Sequence, residues 1–489
     1  MSRSGCQVGE MTRRHWLETA GRRCGAGLLA GTMSLGGCRG DRPVRDSRGR
    51  VIVEYWHQPM VREVPELGDE VREVGDFERY LARQFMADNP DIVVRTQCLN
   101  WEDLPRKVPI SVLGGRPPDI LMDFVGRTSG FWYQGVLEPL DELVAGHEQD
   151  IQPRMLNASR LAAPGGGVGL HAVPLCGWVQ VLGLNRAAWD VQGMSALLPP
   201  REDPQWESWE QFERALASVA GSEVTPLGMQ CASEQGDYRV LQFFWAFGAE
   251  VYHDGDYSRV ALNSDAGVAA LNWLVDAHRK GWIQHDVATA GHGFYDMFWR
   301  GRTLIIPSGV SMRQAYDSAL RDGKILADFN RDGARDMEVF YTLPPVRPGI
   351  TMTLPVSTNG LVIFRQPDPD RREAAMRFVR FLTSTETVTQ YSRASQLIPS
   401  RFSCGSIFSD QPDVERILEL AAACPLADMG ATSPSYYDIR KRLPPYLQAA
   451  FLGLKTPEEA LAGFEREAAG VLSGQGALSS RTASPGGFS

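Results

Sequence analysis

No stretch of this 489-residue chain holds the roughly twenty consecutive apolar residues of a membrane-spanning helix, so no helical span is expected. Positive charge is in deficit, with 50 Lys and Arg against 59 Asp and Glu, a formal charge of -9. That balance argues against nucleic acid and anionic membrane surfaces as partners. Cysteine is sparse: eight residues and no Cys-x-x-Cys pair, which suggests neither a zinc site nor a disulfide framework. There is no Gly-x-Ser-x-Gly elbow, no His-Glu-x-x-His and no phosphate loop. The eight histidines are scattered, and His285 and His292 share a polar loop without an evident third ligand. No catalytic constellation emerges, and the chain reads as a non-enzyme without cofactors. A composition of 43% hydrophobic and 22% charged residues fits a globular protein with ample core.

The N-terminus carries a different signal. Arg13 and Arg14 precede a short, weakly apolar stretch from Cys24 to Ser34, which leads to Leu35-Gly36-Gly37-Cys38. A basic start, an apolar middle and small residues before the cut form an export signal over 1–37, and twin arginines indicate the twin-arginine route. Leu-Gly-Gly-Cys resembles a bacterial lipobox, which implies lipidation of Cys38 and a location on the outer side of the cell membrane, periplasmic or extracellular. Met11 is an alternative start. Removal of 1–37, with five Arg and two Glu, leaves a formal charge of -12. Residues 38–50 are polar, without an apolar period, and read as a tether. Five cysteines stay in the folded part; one bridge, Cys404–Cys424, is conceivable, and buried free thiols are the expectation.

Val51-Ile-Val-Glu-Tyr-Trp56 reads as a first strand. Phe77, Tyr80, Leu81 and Phe85 recur at helical spacing up to Asn89-Pro90. Strands follow at Ile92–Thr96 and Asp119–Phe124, and this alternation predicts βαβ units. Ser208 and Asn263 are cap-type residues ahead of helices. Strands return at Thr303–Pro307, Val339–Leu343 and Gly360–Phe364. Thr456-Pro-Glu-Glu459 is a capping box opening a helix with Leu461, Phe464, Ala468 and Val471 inward. Gly165-Gly-Gly-Val-Gly169 lacks dinucleotide-loop spacing and reads as a hairpin turn. Residues 473–489, rich in Gly and Ser, are expected to be disordered.

Several joints carry recognisable motifs: Tyr55-Trp56-His57 closing the first strand, Asn89-Pro90, and Gly114-Gly-Arg-Pro-Pro-Asp119-Ile. They continue with Gly135-Val-Leu-Glu-Pro-Leu-Asp-Glu142, Ala172-Val-Pro174 leading to Leu184-Asn185, and Trp206-Glu-Ser-Trp209-Glu-Gln-Phe. In this order, over about Val51 to Leu472, the chain resembles the extracellular solute-binding proteins of carbohydrate importers, the maltose-binding-protein-like family. The resemblance implies an α/β, two-lobed periplasmic-binding-protein type II fold, with a mixed, mostly parallel sheet in each lobe. Lobe one is expected at 51–176 and 344–385 and lobe two at 177–340 and 386–472, with crossings near Gly177, Tyr341 and Thr385. It further implies a monomer that captures a sugar or oligosaccharide in the interlobe cleft by hinge closure. Delivery then falls to ABC permease and ATPase subunits on separate chains, and the lipid is the only membrane contact.

A sugar offers a flat C–H face to aromatic rings and a rim of hydroxyls to carboxylates, amides and guanidinium groups. By position in the family pattern the candidates are Trp56, Asp123, Arg127, Trp178, Tyr238, Trp245, Tyr436 and Tyr437. Ligands sit outside the carboxyl ends of strands in such sheets, which also places Trp56, His57, Asp123 and Trp178 at the cleft. Trp245 sits in an apolar run and reads equally as core. Gly309-Val310-Ser311 stands where many members carry a tryptophan, so a ring is missing there and Ser308, Ser311 and Arg313 are the hydrogen-bonding candidates in its place. The same fold with glycerol phosphate, a polyamine or another small solute is the alternative, and a secreted carbohydrate-active enzyme a third reading. Asp328, Asn330, Asp332 and Asp336 match ligand positions of a calcium loop, but Val339 stands where its bidentate Glu belongs. A polar turn is the plainer reading.

Overall fold

The computed structural model describes residues 44–482 except 164–165, 222, 254–255, 292 and 336, with side chains as far as 474. The export segment 1–37, Cys38 and residues 483–489 lie outside the described residues. No described helix is long and apolar enough to cross a membrane.

Two mixed sheets organise the chain. In the first, Val51–His57 lies parallel to Ile92–Cys98 on one side and to Ile120–Phe124 on the other. Antiparallel neighbours continue it: Leu354–Ile363, then Val173–Val179, then Ile398–Pro399. Leu426–Ala427 pairs parallel with the start of Leu354–Ile363. The second sheet runs in the order Val339–Thr342, Val181–Asn185, Thr303–Ser308, Thr225–Leu227, and only its last pair is parallel. Antiparallel pairing enters through the strands that pass between the sheets.

Period-two alternation in the strands divides the core around the first sheet. Val51, Val53, Tyr55, Ile120 and Met122 face one cluster, while Trp56 and Leu121 face another. The first cluster is closed by the helix Asp76–Asp88, whose Phe77, Leu81 and Phe85 share one face and pack against Pro369–Leu382. There Phe85 and Phe378 bring ring centroids to 4.9 Å. Asp119 of the Pro-Asp-Ile motif is fully buried, takes a hydrogen bond from the Glu54 N–H at 2.7 Å, and pairs with Arg371 of Pro369–Leu382. The motif therefore ties helix to sheet.

The second sheet is covered by the helices Trp209–Val219, Asp237–Ala246, Asp265–Arg279 and Tyr436–Phe451, which share its largest core cluster. Ser208 caps the first of these, accepting the Gln211 N–H. The cap of Asp265–Arg279 is Ser264 rather than Asn263: Ser264 Oγ accepts the Gly267 N–H, and Asn263 reaches Glu465 instead. Gly267 is required there, since a Cβ would lie 1.9 Å from the Leu262 carbonyl. The Thr456–Glu459 box forms reciprocally, at 3.0 and 3.2 Å, and its helix continues to Thr482. Residues 473–482, expected to be disordered, are thus helical.

The chain crosses between sheets at Gln180, which separates Val173–Val179 from Val181–Asn185, and returns over 343–353. Near Thr385 it does not cross. Ile398–Pro399 still pairs with Val173–Val179, so the helix Thr385–Ser395 stays with the first sheet. The hairpin Arg160–Ala162 and Val168–Leu170 forms around the glycine run. All five cysteines of the folded part are free; Cys404 and Cys424 donate to the carbonyls of Thr385 and Leu420.

Candidate ligand cavity

The crossing itself builds a cavity. Val173–Val179 delivers Trp178, half-buried, just before Gln180 carries the chain into the second sheet. Gln180 then donates through Nε2 to the Tyr238 carbonyl (2.8 Å) and to Gln242 Oε1 (2.7 Å), docking the helix Asp237–Ala246 against the crossing. A cavity of about 890 Å³ opens there, lined by Trp178, Tyr238 and Trp245 with Tyr252, Tyr257 and Asp428. Polar side chains of Ser357, Thr358 and Asn157 also face it. Trp178 and Tyr238 meet edge to face at 5.5 Å, and Tyr238 and Trp245 lie 6.4 Å apart.

Tyr238 is held from behind by a buried polar cluster. Arg440 grips Asp237 through two hydrogen bonds of 2.5 and 2.7 Å and donates to Tyr436 Oη at 2.8 Å. Its guanidinium lies 5.0 Å from the centre of the Tyr238 ring and 5.1 Å from that of Tyr436. The two phenol oxygens are 3.2 Å apart. Burial pushes the Asp237 carboxyl up, and Arg440 pulls it back. Two rings stacked on one guanidinium fix the angle at which Tyr238 meets the cavity.

The remaining expected site residues lie elsewhere. Trp56 is 8% exposed, packed with Leu104 and Leu121. His57 is sealed, donating from Nδ1 to the Gln58 carbonyl, with Glu78 at 3.6 Å. Neither side chain reaches the cavity, because both face the packed layers beside their strand. Asp123 and Arg127 form a buried ion pair with contacts of 2.5–3.1 Å, joined by Gln58. Arg127 lies over Phe124, which stacks on Trp101. Tyr437 donates to Glu234 and carries Lys441 over its ring. Tyr436, a cleft candidate by position in the family pattern, is 1% exposed, and the pair of tyrosines opens the helix Tyr436–Phe451. Ser311 precedes the helix Met312–Arg321, and Arg313 pairs with Asp413 at 2.7 Å.

Asp328, in the calcium-like loop, already accepts the N–H groups of Asp332 and Gly333, and Asp332 accepts that of Ala334. Asp336 and His292 lie outside the described residues. Among the described residues no His, Cys, Asp and Glu group is arranged to hold a metal ion.

Sequence reasoning missed Tyr252, Tyr257 and Asp428. Tyr252 and Tyr257 belong to a short two-stranded element with no strong period. Asp428 was legible as a turn signal, two residues before Gly430, but nothing in the sequence aims that turn at a cavity.

Three solved structures illustrate the likeness. An ABC transporter solute-binding protein from Thermotoga lettingae bound with α-D-tagatose matches with TM-score 0.69 and 19% identity, over 86% of this chain and 99% of that one. An ABC substrate-binding protein from Listeria monocytogenes in complex with cycloalternan gives 0.68 and 16%, over 86% and 99%. UgpB from Mycobacterium tuberculosis, in complex with glycerophosphocholine, gives 0.67 and 17%, over 87% and 100%. They establish a two-lobed periplasmic-binding-protein fold. No curated protein matches the sequence. The model of the bacterial extracellular solute-binding proteins matches residues 68–389, about two thirds of the chain, and the chain belongs to that family.

Proposed function

We propose that this protein captures a sugar or oligosaccharide in the cavity at the sheet crossing and delivers it to the permease of an ABC importer. Cys38, acylated after export, anchors it outside the cytoplasmic membrane. The observation that carries the reading is the cavity wall, where Trp178, Tyr238, Trp245 and Tyr252 stand beside a carboxylate and hydroxyl side chains. Its volume falls within the roughly 300–1,000 Å³ usual for small-ligand sites. The sugar complexes among the similar structures agree with this chemistry.

The crossings, at Gln180, over 343–353 and between Ile398–Pro399 and Tyr436–Phe451, are the segments about which the halves rotate to close on the ligand. Closure of this kind is absorbed by a few residues at element ends. Micromolar binding needs about 8 kcal/mol. Rings supply ~0.5–1.5 kcal/mol each beyond burial, so polar contacts completed on closure supply much of the remainder. A thermal-shift screen of neutral mono- and oligosaccharides tests the reading, with Trp178→Ala as control. A sugar that raises Tm in the wild type and not in the variant supports it. A panel without any stabilising sugar counts against it.

A further inference from the structure

Asp428 holds a half-buried carboxylate at the cavity wall, and no cation among the described residues pairs with it. Its Oδ1 accepts the N–H groups of Gly430 (2.8 Å) and Ala431 (3.1 Å), and among the described residues no hydrogen bond reaches Oδ2. No Lys or Arg among the described residues forms an ion pair with it, in contrast to the buried Asp119, Asp123 and Asp237, each of which has its own arginine. The basic residue on the cavity wall, Arg154, is exposed.

A second orphan lies beside it. Tyr252 is 6% exposed and lines the same cavity, yet among the described residues its hydroxyl has no hydrogen-bond partner. Burial and the neighbouring Tyr436, Tyr257 and Asp428 push its phenol up. Tyr257 meets Tyr252 edge to face at 5.2 Å, and both rings crowd Gly430, where a Cβ would lie 2.8 Å from Tyr252. Glycine, at φ +77°, lets the Asp428 turn approach these rings.

Asp428 is half-buried, and a carboxylate partly shielded from water among aromatic rings favours a partner of opposite charge. Aromatic faces stabilise cations, above all those whose own hydration is weak. We infer that the ligand of this cavity carries a cationic nitrogen, seated against Asp428 between the Tyr252, Tyr257 and Trp178 rings. This rests on the reading of the cavity as the ligand site and deepens it. An amino sugar, a choline head group and a polyamine all offer this nitrogen.

Calorimetry on the purified protein distinguishes them, using a β-1,4 glucosamine trisaccharide, its neutral N-acetylated counterpart, glycerophosphocholine and spermidine. At least one cationic probe is expected to bind ten-fold or more tighter than the neutral trisaccharide. That advantage is expected to vanish in Asp428→Asn, which keeps the turn's acceptor oxygen and the fold, checked by an unchanged Tm. Whichever cation gains most identifies the source of the nitrogen. The inference is overturned if no cationic probe exceeds the neutral one, or if Asp428→Asn binds all probes as the wild type does. The cavity reading fails separately, when Trp178→Ala leaves every affinity unchanged.

Discussion

The rings of Trp178 and Tyr238 meet edge to face, with centroids 5.5 Å apart and planes at 75°. One ring belongs to the first sheet and the other to a helix over the second, so this contact spans the crossing at Gln180. Removing the indole takes one aromatic face from the cavity wall. Trp178→Ala is expected to lower ligand affinity by about 2–4 kcal/mol, combining lost burial and lost stacking. That is roughly thirty-fold or more by titration calorimetry, and Trp178→Phe is expected to recover part of it.

Arg440 and Asp237 form a fully buried pair, and breaking one side leaves a buried charge uncompensated. Arg440→Met is expected to cost about 3–5 kcal/mol in urea unfolding. Replacing both partners, Arg440→Met with Asp237→Leu, is expected to cost less than the sum of the single changes. Additive losses would show that the pair contributes no coupling.

His171 is buried between the carbonyls of Ser159 (2.7 Å) and Val125 (3.1 Å). Burial depresses its pKa to about 4 from an ordinary 6.5, with the two carbonyls opposing. The unfolded chain therefore takes up the proton first. The stabilisation is complete above about pH 6.5 and is lost as pH falls to about 4, by about 3 kcal/mol in all. Unfolding free energies measured across this window are expected to fall more steeply in the wild type than in His171→Asn. Parallel curves would contradict the assignment.

The Thr456–Glu459 capping box secures the last helix, whose Leu461 and Phe464 are fully buried. Thr456→Ala is expected to cost about 1 kcal/mol, read as a lower Tm in calorimetry. An unchanged Tm would mean that the packing of Phe464 alone sets the helix start.

Much of the fold was legible because it is written locally. Val51–His57, the Phe77–Leu81–Phe85 stripe and the Ser208 cap each follow from period or side-chain chemistry within a dozen residues. The failures are of another kind. Asn263 and Ser264 are equally good caps on paper, and Gly267 against the Leu262 carbonyl decides between them. That the chain does not cross near Thr385 could not be seen, because Ile398–Pro399 is too short to announce its partner strand. Trp178, Tyr238 and Trp245, candidates from order along the chain, line the cavity. Tyr436 was misplaced because Arg440, four residues on, draws its hydroxyl into a buried cluster. Tyr252 and Asp428 meet across some 180 residues, a juxtaposition that only the folded chain supplies.

The central claim is that the ligand lies at the sheet crossing. A crystal structure of the protein loaded with the tightest ligand of the panel tests it most directly. The account predicts ligand density in contact with Trp178, Trp245 and Tyr252. Density seated instead among Asp123, Arg127 and Tyr437, with the crossing cavity holding only solvent, would contradict it.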